Sequence, residues 1–193
     1  MYYNTLEKIG IPKREVMVHR VEKARDTQEE TKEQFRSALE QFTAVTNFSG
    51  GDLEQVYNKL NNEYLASVDK AEEVRKRIED IEDVSEALFA EWEEEIQEYS
   101  SATLKRSSER KLENTRKHYQ QLISAMKRAE NKIEPVLAVF KDQVLYLKHN
   151  LNAQAIASLK GELNSVKADV SSLITAMENS IDEANSFIKT MEN

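Results

Sequence analysis

The 193-residue chain is long enough to bury a sizeable core, yet 32% of it is charged and it holds only four Gly and two Pro, a composition suited to extended helices with a narrow apolar stripe. Its formal net charge of -8 argues against nucleic acid or an anionic membrane surface as a main partner, because phosphate binding needs a basic face that gains by releasing counterions. With no Cys, disulfides, thiolate metal sites and cysteine nucleophiles are excluded.

The first residues, MYYNTLEKIG, lack the basic start and apolar stretch of a signal peptide. No run of about 18 apolar residues occurs either, so the chain as written is expected to be soluble, and cytosolic or already processed. From Pro12, a proline of the kind tolerated in a first helical turn, a helix is expected over 12–46. Its apolar residues recur at alternating steps of three and four: Met17, Val21, Ala24, Phe35, Ala38, Phe42 and Val45, with polar Gln28 and Thr31 in the same stripe. These two are read as buried polar residues that set helix register; lining a polar ligand cavity is the alternative.

The loop NFSGGD at 47–52 ends this segment, its paired glycines supplying left-handed conformations and Asp52 a cap for the next helix. A second helix is expected over 52–99, with Leu53, Tyr57, Leu60, Tyr64, Ser67, Ala71, Val74, Ile78, Ile81, Ser85, Leu88 and Trp92 in register. Ser and Thr at 100–103 provide the next break. A third helix over 104–149 carries Leu112, Thr115, Tyr119, Leu122, Met126, Ala129, Ile133, Val136, Phe140, Val144 and Leu147. Pro135 interrupts that run and predicts a kink, shared with Gly161 once the last two helices fold back on each other.

At 149–154, HNLNAQ, the stripe could run straight through, but two close Asn favour a turn. A fourth helix over 153–191 follows, with Ile156, Leu159, Leu163, Val166, Val170, Leu173, Met177, Ile181, Ala184, Ile188 and Met191. Such short connections predict one elongated, all-α domain: an antiparallel up-down-up-down four-helix bundle with coiled-coil packing. At about 1.5 Å per residue the longer helices reach roughly 70 Å and the first only about 50 Å, so the hairpin of helices two and three should project beyond the rest. Both termini and the 99–103 turn then share one end; NFSGGD and HNLNAQ share the other.

Site chemistry is sparse. The acidic run Glu91, Glu93, Glu94, Glu95 and Glu98 folds back beside Lys105, Arg106, Arg110, Lys111, Arg116 and Lys117, which predicts a solvated, salt-bridged hairpin tip, with Trp92 as core. His19, His118 and His149 are scattered, none with a second His at i+3 or i+4, and no inward Glu-x-x-His pair exists, so no metal, cofactor or catalytic residue is expected. The paired glycines lack the strand and Lys of a phosphate loop. Phe48, Tyr146, Lys148, His149, Asn150 and Asn152 gather near one bundle end, either as a polar cap or as a surface for a protein partner. Off the main stripe, Val56, Val68, Phe89 and Ile123 either widen the core or serve self-association into a homo-oligomer.

The segments YYNTLEKIGIPKRE, NFSGGDLEQVYNKLN, ALFAEWEEEIQEYS and EPVLAVFKDQVLYLKHNLNAQAIASLKGEL together resemble a bacterial family classed as a domain of unknown function, over essentially the whole chain. Members of that family resemble lipoproteins whose lipidated Cys lies just before the positions matching Tyr2 and Tyr3, where this chain has Met1. The resemblance implies a non-catalytic structural or interaction protein of the cell envelope, periplasmic and tethered to a membrane by its N-terminus. A cytosolic self-associating coiled-coil scaffold is the alternative.

Overall fold

The computed structural model describes residues 12–192. Tyr2 and Tyr3, where the resemblance puts the tether, lie outside the described residues. Among the described residues there are four α-helices and no strand: α1 (Lys13–Thr46), α2 (Leu53–Glu98), α3 (Ala102–His149) and α4 (Ala153–Glu192).

Each helix start has a local cause. Pro12 occupies the N-cap of α1 at φ -63 and ψ 144, one position ahead of the first turn, and its carbonyl accepts from the Glu15 and Val16 amides. The Asp52 carboxylate accepts from the Gln55 amide at 3.2 Å and the Ser101 hydroxyl from the Leu104 amide at 3.4 Å, satisfying donors that a helix leaves open at its first turn. Gly50 and Gly51, at φ 149 and 112, are the residues that turn the α1–α2 loop, in a region side-chain-bearing residues avoid. The chain leaves the helical conformation at Asn150. The Asn150 amide side chain donates to the Tyr146 carbonyl at 2.9 Å and the Asn152 side chain accepts from the Ala155 amide at 3.0 Å, so one Asn closes α3 and the other opens α4.

α1 and α3 each pack against both α2 and α4, and the four helices close into a bundle. Along α1, Lys13, Arg20, Lys70-bound Glu30 and Gln34 meet Glu91, Asp80, Lys70 and Glu63 of α2 in turn. Along α2, Arg75, Glu82 and Glu93 meet Glu130, Lys127 and Arg116 of α3. Arg25 and Lys32 of α1 reach Asn185 and Glu178 of α4.

All nine stripe positions of α1 are buried, Gln28 and Thr31 included. The core's largest enclosed side chains include Phe35, Phe42, Phe140 and Phe187, each worth about 1.5–3 kcal/mol buried rather than exposed. Phe42 and Phe140 meet edge to face at 6.3 Å between centroids, linking α1 to α3. Val56, Val68 and Ile123 are half-buried against this core, so the surplus apolar positions widen the stripe within the chain. Phe89, Ile96 and Leu112 form a separate small cluster between α2 and α3, with Phe89 edge-on to Tyr119 at 5.4 Å.

Several stripe positions differ from expectation. Leu53, Tyr57, Tyr64 and Trp92 of α2, Tyr119 of α3 and Ile156, Leu163 and Ile181 of α4 are only half-buried, whereas Ser180 and Phe187 are fully enclosed. A step of 3.6 residues leaves neighbouring positions such as 180 and 181 nearly tied, and the phase of packing decides between them. α3 runs unbroken through Pro135, which sits exposed, so water can satisfy the carbonyl one turn earlier that lost its amide partner. Gly161 has nothing within 4 Å of where a Cβ would stand, so no close helix approach demands glycine there.

Candidate functional site

The residues expected at a docking tip separate into two roles. Asn150 and Asn152 are helix caps, as their hydrogen bonds above show. Tyr146, Lys148 and His149 are exposed and Phe48 is half-buried. Phe48 and Tyr146 each lie six residues beyond one ring of the Phe42–Phe140 contact. Leu145 and Tyr146 at the end of α3 are 48% and 40% exposed, and Leu151, through which the apolar stripe could have continued, is 40% exposed in the turn. Leu145 lies outside the three-and-four stripe that accounts for Val144 and Leu147, whereas Leu151 stands four after Leu147 in register with it and is exposed because the chain has left the helix there. Leu145, Tyr146 and Leu151 are thus three exposed apolar side chains close together in sequence around the α3–α4 turn.

At the α2–α3 tip the expected mesh of ion pairs is thin. Glu93 meets Arg116 at 2.6 Å, and Lys105 donates instead to the Gln97 side-chain oxygen at 2.8 Å. Glu94, Glu95, Glu98, Arg106, Arg110 and Lys117 are exposed and have no ion pair among the described residues. Trp92 is half-buried rather than core, its indole donating to the Ser108 hydroxyl at 2.9 Å, while Arg116 stacks over the Phe89 ring at 5.2 Å. An open cleft of about 750 Å³ runs along this tip, lined by Glu93, Ile96, Arg110, Glu113, Arg116 and Lys117 among others. A second, of about 610 Å³, lies between α3 and α4 beside Arg128, Lys132, Ser172 and Thr175.

Electrostatics favour no acid–base pair tuned near neutrality among these groups. The hydrogen bond from Lys70 holds the Glu73 carboxyl below its ordinary range, and the one to Glu30 raises the Lys70 ammonium above its own. Arg116 likewise lowers Glu93, Glu82 raises Lys127, and burial raises the Tyr119 phenol. Each shift carries its group further from pH 7 and deepens the charge state it already has there. Among the described residues no group of three or more His, Asp or Glu is placed to hold a metal ion. No described helix is long and apolar enough to cross a membrane.

Inside the core, Thr31 donates to the Thr27 carbonyl at 2.6 Å, but the side-chain amide of Gln28 and the hydroxyl of Ser180 have no hydrogen-bond partner among the described residues. A family model described as "Protein of unknown function (DUF2959)" matches residues 2–191. No curated protein and no solved structure matches the chain.

Proposed function

The chain belongs to the DUF2959 family, and from that premise and the geometry above we propose that it is a non-catalytic structural or protein-interaction component of the bacterial cell envelope. The bundle is read as antiparallel, up-down-up-down: partner numbers fall along α2 as they rise along α1, fall along α3 as they rise along α2, and fall along α4 as they rise along α1. In that arrangement Arg14, Trp92, Thr115 and Met191, which line one small cleft, mark the level where α1 begins and α4 ends. Residues 93–114 then project beyond it, and the NFSGGD loop and the 150–152 turn share the opposite end.

The observation that carries the reading is the patch of Leu145, Tyr146 and Leu151 at that opposite end. A membrane tether at the N-terminus, as the resemblance implies, would leave this patch facing away from the membrane and free to meet a protein partner. The test is capture from an envelope extract with the purified chain and with Leu145→Ser/Tyr146→Ser. Loss of specific partners with the double variant is expected, and unchanged recovery would remove this end as the docking face. Fractionation of cells producing the native gene product tests the tether separately: recovery wholly outside the membrane fraction would leave only the interaction role.

A further inference from the structure

We propose that the bundle opens along its α1–α4 seam, at a layer where Gln28 of α1 and Ser180 of α4 are buried without hydrogen-bond partners. This opening requires neither the docking end nor the tether proposed above.

Two contacts place these side chains in one layer. Arg25 reaches Asn185 and Lys32 reaches Glu178, so residues 25–32 of α1 run beside residues 178–185 of α4. Gln28 and Ser180 fall inside those two intervals, at 1% and 0% exposure. Neither the Gln28 side-chain amide nor the Ser180 hydroxyl has a hydrogen-bond partner among the described residues. Thr31 and Ser67, equally enclosed, each donate to the carbonyl four residues earlier in their own helix. The desolvation cost of unpaired polar groups is therefore concentrated where Gln28 and Ser180 lie, and water relieves it when the layer opens. Opening there costs less free energy than at a layer whose polar groups are satisfied.

The seam that these two residues share is also weakly closed. A short turn ends each of the α1–α2, α2–α3 and α3–α4 seams, whereas none joins α1 to α4. Lys13–Glu91 at 2.8 Å and Lys70–Glu30 at 2.5 Å bridge α1 to α2, and Arg116–Glu93 at 2.6 Å bridges α2 to α3. The described polar bridges from α1 to α4 are longer: 3.3 Å from Arg25 to Asn185, 3.4 Å from Arg36 to Glu178 and 3.9 Å from Lys32 to Glu178. When α1 and α4 part, the α1–α2 and α3–α4 hairpins separate while each stays intact, and water reaches both orphaned groups.

The chain has no Cys, so a single introduced thiol reports a single position. Ser180→Cys puts one in the layer, and Ser67→Cys puts one at an equally enclosed site in the α1–α2 seam, where Gln34 of α1 reaches Ser67 at 3.4 Å. In the full chain, with circular dichroism unchanged, dithiobis(nitrobenzoate) should label the Ser180→Cys thiol about tenfold faster than the Ser67→Cys thiol, or more. That rate should barely change with urea below the unfolding transition, because the opening exposes little surface. Adding Gln28→Leu, which removes an unpaired amide, should slow labelling of the Ser180→Cys thiol about tenfold. Ala184→Cys, 0% exposed and one turn further along α4, serves in the same comparison if Ser180→Cys does not fold. Equal rates in the two seams, a urea dependence matching that of global unfolding, or no slowing by Gln28→Leu would each overturn the proposal.

Discussion

Gln28 is 1% exposed and, among the described residues, neither its side-chain oxygen nor its nitrogen has a hydrogen-bond partner, and burying an unpaired amide costs free energy. The neighbouring stripe residue Thr31 escapes that cost by donating back to the preceding turn of its own helix. Replacing the amide by an apolar side chain of similar length removes an unsatisfied group without opening a cavity. Gln28→Leu should therefore raise stability by about 1–2 kcal/mol, seen as a higher urea midpoint at unchanged slope. A lowered midpoint would mean that the amide is satisfied in solution. The period of the apolar residues made Gln28 legible as a buried position, since it stands seven before Phe35 and four after Ala24. Ser180 was not legible, because Ile181 is the more apolar neighbour and only the packing phase turns the serine inward.

At the scale of elements, the breaks were more readable than the depth of burial. Paired glycines at 50 and 51 demanded the conformation they adopt, and two Asn at 150 and 152 were turn residues before their hydrogen bonds were known. What composition could not say was that both would be used as caps. Asn152→Ala should cost about 1 kcal/mol by freeing the Ala155 amide, while Asn152→Asp or Asn152→Ser should restore most of it. Equal losses for all three in denaturant melts would show that the side chain acts otherwise than as a cap. Half-burial of Leu53, Tyr57, Ile156 and Leu163 has one physical source: near a bundle end a stripe has fewer neighbours to cover it, and periodicity carries no information about where the neighbours stop.

For the whole molecule, a heptad stripe shared by four long segments implies a shape as well as a fold. The sequence pattern led to four helices and to a charged hairpin, because both follow from local spacing. It did not lead to the thinness of the ion-pair network at the tip or to the exposure of Leu145 and Leu151, which depend on which helix edges are left uncovered. Length separates this architecture from a compact one. The 48 residues of α3 span about 72 Å at ~1.5 Å per residue. A rod of that length and roughly 25 Å width has a radius of gyration of about 22 Å, against about 16 Å for a compact globule of 193 residues. Small-angle scattering should give the larger value. A value near the compact limit would contradict the extended bundle and, with it, a tip that stands clear of the rest.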